Sequence, residues 1–292
     1  MMKYALMLPI ILAFASCRNT TETNVLDSAR NLVETDSVDY SDSTAPAEWP
    51  RVMLKTTAGN LTLALNPEQK QHTENFLKLV KSKYYNGQLF HRVIKDFMIQ
   101  SGDPKSVNAS PTAMIGDGGP NYTVPSEIKP NLYHFRGALA AARQSDDVNP
   151  MKNSSGSQFF IVTGTLLDDL HLKQSLEAQA FERFRNDPAN QDYVRKGQAL
   201  SQSGNMAALQ ELEQEVQKKM QPVIEELFGK IPSEVKQRYA HWGGSPSLDN
   251  NYTVFGKLVS GYNVLSAIEK EPTGSGDRPK KDVKIIEAFI PE

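Results

Sequence analysis

Eight short runs of alternating or β-branched apolar residues occupy the chain from residue 50 onward: RVMLKTT at 51, LTLAL at 61, LFHRVI at 89, FMIQS at 97, RGALAAA at 136, SQFFIVTG at 157, NYTVFGKLV at 251 and VKIIEAFI at 283. Runs of this length and period read as β-strands, and the AGN between the first two is a hairpin signal. Only two stretches near them read as core helices. In NPEQKQHTENFLKLVKSKYY, Asn66 suits an N-cap and Pro67 a first helical position, with Phe76, Leu77 and Val80 at helical spacing; the second is YNVLSAIEKE from Tyr262. Many short strands with few helices predict a mainly β fold whose sheet closes on itself, because closure removes the exposed edges.

A different composition interrupts the strands. Residues 168–242 are rich in Gln, Glu, Lys, Ala and Leu, with breaks at the Asp-Pro of 187 and the Ser-Gly of 203. Leu209, Leu212, Val216, Met220, Val223 and Leu227 recur three or four apart and predict one apolar stripe on a charged helix, with Pro222 kinking or interrupting it. This segment is expected to be an inserted α-helical subdomain packing its stripe on itself or on the sheet. The competing expectation is a helix that binds a partner.

The N-terminus is separable from this body. MMKYALMLPIILAFASC places a Lys at position 3, an apolar run over 4–14 and small residues before Cys17, the single cysteine of the chain. The apolar run is too short to span a bilayer, which takes roughly 20 residues. The stretch resembles a bacterial lipoprotein signal over residues 1–17, with Phe14 where Leu is commonest and Cys17 as the lipidated residue. A plain cleaved signal with an incidental cysteine is the alternative. Residues 18–49 are rich in Thr, Ser, Asp and Glu and read as a flexible tether. A short helix around NVLDSARNLVE lacks the apolar face to stand alone. DSA at 27, DSV at 36 and DST at 42 resemble O-glycosylation acceptors of some exported bacterial proteins. With one cysteine no disulfide forms within the chain, so the fold rests on its core.

The chemistry is narrowed by what is missing. The formal net charge of −2 argues against nucleic acid as a general partner, and RPKKDVK near the C-terminus reads as a solvated turn and edge strand. Five scattered histidines, at 72, 91, 134, 171 and 241, lack metal-ligand spacing, so no metal is expected. The glycine runs GDGG at 116 and GSGD at 274 have neither a P-loop lysine nor its context. A hydrolase built from Ser157, His91 and Asp103 is imaginable, but turns and hydrogen bonds account for all three. What remains is a reaction without a nucleophile.

Three separated stretches, in order, resemble one family. FHRVIKDFMIQSGD at 90–103, GSQFFI at 156–161 and LDNNYTVFGKL at 248–258 are similar to signatures of the cyclophilin peptidyl-prolyl cis-trans isomerases. The resemblance covers 50–167 and 243–292. It implies a closed eight-stranded antiparallel cyclophilin-like barrel capped by two helices. It further implies Arg92 as the catalytic arginine, assisted by Gln100, Phe97 and His91. By the same match Met98, Phe160, Leu248 and Tyr252 line a proline slot. The backbone at Ala142 and Arg143, with Gln158, binds the extended peptide. No cofactor is implied.

This sequence departs from many eukaryotic members of that family. Ser247 stands where they have Trp, Tyr252 where they have a late His, and Arg143 where an Asn is common. The first change predicts weak inhibition by cyclosporin, and the last puts fine peptide preference in doubt. The segment 168–242 enters just before Ser247 and Leu248, so it is expected to cover or extend the groove. The reading as a whole is a lipid-anchored, extracytoplasmic isomerase of X-Pro bonds in exported proteins, on the periplasmic side of the outer or inner membrane or exposed at the surface. Its partners are proline-containing polypeptides and, through the anchor, a membrane. The competing reading is a non-catalytic peptide-binding chaperone or scaffold that works through the helical segment.

Overall fold

The computed structural model describes residues 45–291. The signal, Cys17, the Asp-Ser sites and most of the tether lie outside the described residues.

Strands β1 (Arg51–Thr56) and β2 (Gly59–Leu65) form the expected hairpin, in full register from Arg51 opposite Ala64 to Thr56 opposite Gly59. Gly59 has φ +130°, and a Cβ there would lie 2.6 Å from Val264 Cγ2, so only glycine serves. Helix α1 (Lys70–Lys81) follows, starting later than the sequence suggests. Asn66 does not cap it: its side chain accepts from Glu68 N–H at 3.0 Å in a local turn. The first-turn donors of the helix are served instead by Glu127, whose carboxylate accepts from Gln71 N–H at 3.2 Å and His72 N–H at 3.0 Å. A carboxylate at a helix N-terminus is favourable whatever its place in the chain.

The remaining strands are β3 (Arg92–Ile94), β4 (Met98–Ser101), β5 (Thr123–Val124), β6 (Ala138–Ala141), β7 (Ser154–Ser155), β8 (Phe159–Val162), β9 (Val254–Ser260) and β10 (Ile285–Phe289). Eight of them make one antiparallel sheet in the order β10-β1-β2-β9-β6-β8-β4-β3, while β5 and β7 pair separately. The expectation of a closed barrel is corrected here. The sheet is a half-barrel with β10 and β3 at its edges, because β3 is three residues long and does not ladder with β10. The irregular chain before β3 meets β10 in its place, through Gly87 N–H to Ile285 O at 2.7 Å, Ile285 N–H to Gln88 O at 2.8 Å and Phe90 N–H to Val283 O at 2.8 Å.

Helix α1 packs Phe76, Leu79 and Val80 into a core with Leu54, Leu61, Leu63, Ile99, Phe159, Ile161 and Phe255 of the sheet. A later helix contributes Leu265 and Ile268 to the same core.

Between β8 and β9 lie five helices: α2 (Asp169–Ser175), α3 (Glu177–Asn186), α4 (Gln191–Ser203), α5 (Met206–Lys230) and α6 (Ser233–Trp242). The second capping helix, α7, is Tyr262–Glu269. Asp187 caps a turn at Pro188–Asn190, and Gly204, at φ +69°, ends α4, so both expected breaks are present. Pro222 does not interrupt α5, which runs 25 residues through it. The stripe is held against neighbouring helices: Leu212, Val216, Met220, Ile224 and Leu227 cluster with Leu176, Ala180 and Phe184. Ile224 is buried in the place given to Val223, which is only half-buried. A smaller cluster of Leu172, Val235 and Tyr239 packs on Tyr133, Phe135 and Leu167, joining the helices to the sheet. The described residues form one compact unit, and no helix among them is long and apolar enough to cross a membrane.

Candidate functional site

The alternation of a β-strand gives each central strand two jobs. On β4, Ile99 points into the main core while Met98 and Gln100 point out; on β8, Phe159 and Ile161 point in while Phe160 and Val162 point out; on β6, Leu139 and Ala141 point in while Ala138 and Ala140 point out. The outward set forms a second apolar cluster of Met98, Ala138, Ala140, Phe160, Val162, Leu248 and Val254, with Ile94, Phe97, Leu132, Ala142 and Tyr252 packed on it. One cross-strand row crosses this face, with Arg92 opposite Gln100, Gln100 opposite Phe160 and Phe160 opposite Ala140.

Above the row lies a cavity of about 290 Å³ lined by His91, Arg92, Phe97, Met98, Gln100, Ile115, Gly116, Ala142, Arg143, Phe160, Leu248, Tyr252 and Gly276. Ten of the eleven site residues expected from the sequence line it, and the eleventh, Gln158, touches it through Gln100. Gln158 Nε2 donates to Gly116 O at 3.0 Å and Gly118 O at 2.7 Å, and its Oε1 accepts from Gln100 Nε2 at 2.9 Å. Carbonyl oxygens only accept, so Gln158 must turn its NH₂ to the glycines and its oxygen to Gln100. Gln100 is thereby forced to donate there, which leaves its own Oε1 as an acceptor facing other partners. Gln158 is a positioning residue in this arrangement.

The backbone expectation also narrows. Ala142 N–H donates to Gln158 O at 3.0 Å, and Ala142 O accepts from Ser155 N–H at 2.8 Å, so the donor of Ala142 is already spent. The Arg143 side chain is held at the rim: Nε donates to Asn251 O at 2.7 Å, Nη1 to Gln144 O at 2.9 Å and to Asp146, and the guanidinium lies 4.7 Å from the Tyr252 ring centre.

Arg92 is half-exposed, with Nε 3.3 Å from Asp277 Oδ2. His91 beside it is buried, its ring nitrogens finding no hydrogen-bond partner among the described residues. Burial holds its pKa below the ordinary value against the pull of nearby Asp103, so the imidazole is neutral near pH 7. Asp103 itself fastens the loop over the cavity, accepting from Lys105 N–H at 2.7 Å, Gly118 N–H at 3.2 Å and Gly116 N–H. Ser157 Oγ donates to Gly102 O at 2.7 Å. These bonds leave no Ser-His-Asp relay among the three residues.

The far wall is aromatic. Phe160 meets Tyr252 edge-on at 5.6 Å and stacks at 6.1 Å on His134, whose Nδ1 lies 2.9 Å from Asp249 Oδ1. Tyr239 of α6 donates to the other oxygen of Asp249 at 2.7 Å, and Gln179 of α3 donates to Pro246 O at 3.2 Å. The helices thus brace the Leu248 wall from behind. None of the residues lining the cavity comes from 168–242.

Sequence reasoning missed Ile115, Gly116 and Gly276, which line the cavity, and Asp277, which meets Arg92. Their signal was present in the two glycine runs. Gly116 and Gly276 take φ of +113° and +68° to bring bare backbone to the rim.

Comparison with known proteins gives a consistent result. The family model described as cyclophilin type peptidyl-prolyl cis-trans isomerase/CLD matches residues 51–227 and 229–289, which carries it through the helical segment as well. A Streptococcus pyogenes protein named for two activities, a phosphatase and a peptidyl-prolyl cis-trans isomerase, is 33% identical over 82% of this chain, which spans only 39% of that protein's length. A Staphylococcus epidermidis protein named for the isomerase alone is 30% identical over 83% of this chain and 92% of its own length. A crystal structure of a Cryptosporidium parvum cyclophilin type peptidyl-prolyl cis-trans isomerase matches with a TM-score of 0.50 at 23% identity, covering 84% of this chain and 98% of that one, a likeness of fold.

Proposed function

This chain belongs to the cyclophilin-type peptidyl-prolyl cis-trans isomerases, and on that premise we propose that the cavity over the Arg92–Gln100–Phe160 row is where it turns X-Pro bonds, those of exported proteins whose folding it speeds. The observation that carries the reading is the convergence of a charged donor, an oriented amide and an apolar slot on one sheet face.

Rotation about an X-Pro bond is slow because twisting breaks amide resonance, at a barrier of roughly 20 kcal/mol. In the twisted state the prolyl nitrogen regains a lone pair and accepts a hydrogen bond that the planar amide cannot. A guanidinium beside that nitrogen binds the transition state in preference to the ground state. Arg92 supplies it. With Nε turned to Asp277, its terminal nitrogens are the donors offered to the substrate. The proline ring sits among Phe97, Met98, Phe160, Leu248 and Tyr252, which hold one side of the bond while the other rotates. Gln100 Oε1 accepts from a substrate N–H or orients Arg92, and Arg143 backbone meets the extended peptide. His91, neutral, fills the floor without competing as a charge.

The lipid anchor belongs to this proposal. Cys17 after the apolar run of 4–14 supports lipidation and an extracytoplasmic location facing the periplasm or exposed at the surface. Labelled palmitate should enter the wild-type chain and not Cys17→Ser; label in neither sinks the anchor. A proline-limited exported protein should refold faster with this chain than with Arg92→Ala, and equal rates would remove the folding role. The chaperone reading gains no support from the apolar stripe, which is buried among its own helices.

A further inference from the structure

The loop between α7 and β10 brings one carboxylate to the rim of the isomerase cavity. Gly274 N–H donates to Arg278 O at 2.8 Å, Asp277 N–H to Gly274 O at 3.2 Å and Lys280 N–H to Pro272 O at 2.8 Å, which closes a tight turn over Ser275–Asp277. Arg278 ties this turn to the loop that carries Ile115 and Gly116. Its Nη1 donates to Ser110 O at 2.7 Å, and its Nη2 meets both carboxylate oxygens of Asp282 at 3.0 Å. Gly276, inside the turn, lines the cavity.

Asp277 takes φ +58°, directly after Gly276 at +68°. The left-handed region is uncommon for a residue with a Cβ, although Asp tolerates it better than most, and glycine would take it freely. The turn accepts this cost at the position whose carboxylate reaches Arg92, where Asp277 Oδ2 accepts from Nε at 3.3 Å. Among the described residues Asp277 is the one side chain hydrogen-bonded to Arg92. Gln100, directly opposite Arg92, gives its amide N–H to Gln158 instead.

Arg92 is half-exposed on an edge strand, and an arginine side chain turns about several single bonds. An unheld guanidinium spreads its donors over many directions, whereas the role given to Arg92 needs a terminal N–H beside the prolyl nitrogen in one short-lived geometry. A bond at Nε fixes the planar group and leaves Nη1 and Nη2 for the substrate. We propose that Asp277 is a positioning residue for the isomerisation, acting through Arg92; the inference rests on the isomerase reading above. Its effect comes from the acceptor oxygen and not from the charge. A carboxylate beside a guanidinium offsets part of the field that Arg92 puts on the twisted amide, so charge alone would make Asp277 a hindrance.

The test is kcat and KM for an Ala-Pro-Phe peptide, read from exchange between its cis and trans resonances, with the full chain as wild type, Asp277→Ala, Asp277→Gly and Asp277→Asn. The Ala and Gly variants should lose about tenfold in kcat at unchanged KM, because only the transition state uses the oriented N–H. Asp277→Asn keeps an acceptor oxygen and tolerates the left-handed backbone, so it should stay within about threefold of wild type. Asp277→Gly should melt close to wild type, which separates its lost turnover from lost fold. Adding Asp277→Ala to Arg92→Ala should change nothing further. Wild-type kcat in both the Ala and Gly variants overturns the proposal, as does a faster rate in them or a change confined to KM. An Asn variant as slow as Ala overturns it too, since charge would then be the agent, and so does an additive loss on top of Arg92→Ala. No turnover by the wild-type chain would instead remove the isomerase reading, and this inference with it.

Discussion

Arg92 on β3 stands directly opposite Gln100 on β4. The pair begins a row that continues to Phe160 and Ala140, so donor, amide and ring are set by backbone register. Register is strongly specified here because a slip of one residue would turn Met98 and Gln100 into the main core and Ile99 out of it.

Gln158 should matter more for order than for contact. Gln158→Leu leaves the carbonyls of Gly116 and Gly118 and the amide of Gln100 without their partner. Each group left unpaired costs about 1–3 kcal/mol. Urea unfolding should show a loss of a few kcal/mol alongside a fall in kcat/KM. Unchanged stability would mean the amide chain is dispensable.

Tyr239 couples the helical segment to the cavity wall. Tyr239→Phe deletes one hydroxyl, buried and donating to Asp249 at 2.7 Å. A hydrogen bond to a charged acceptor is worth about 1.5–3 kcal/mol. The variant should melt earlier and turn over peptide more slowly, since Asp249 also holds His134 behind Phe160. An isomerase rate equal to wild type would show that the brace does not reach the slot.

Acid should weaken the fold through its buried imidazoles. Burial lowers the pKa of His91 and of His72, the latter in spite of Glu127 beside it, from the ordinary value of 6.5. The unfolded chain therefore takes up protons first as pH falls, so this stability is intact above 6.5 and is lost as pH drops through the depressed folded values. Melting temperatures should fall as the pH drops below 6.5, and His91→Phe should make that slope shallower. A slope identical to wild type would show that His91 does not titrate differently on folding.

Pro222 sits exposed inside α5. It removes a helical hydrogen bond and crowds the carbonyl four residues earlier, at about 3 kcal/mol in a helix interior. Pro222→Ala should raise the unfolding midpoint of the chain, with no packing lost. A lower midpoint would mean that the proline serves a bend the stripe requires.

Much of the fold could be read because its signals are local. All eight strands of the main sheet, the hairpin at Gly59 and the stop at Gly204 follow from period and turn chemistry near each element. What escaped was set by distant residues. The start of α1 depends on Glu127, which lies 55 residues beyond His72. The two-stranded β5–β7 ladder is too short to show a period. The closed barrel was expected because eight strands suggest it, whereas a three-residue β3 leaves irregular backbone to meet β10. At the site, motif residues came together as expected, but Gln158 and Ala142 proved to be bonded inward. Gly276 and Asp277 arrive from a loop nearly 200 residues from Arg92, a proximity no local pattern carries.

The central claim is that the Arg92 guanidinium stabilises the twisted bond. Its most direct test is the cis-to-trans rate of a short Ala-Pro-Phe peptide with the full chain and with Arg92→Ala, each checked for an unchanged melting curve. Loss of a transition-state donor predicts a fall in kcat/KM of about 10²–10³, with the fold retained because Arg92 is half-exposed. Equal turnover by both proteins would contradict the account.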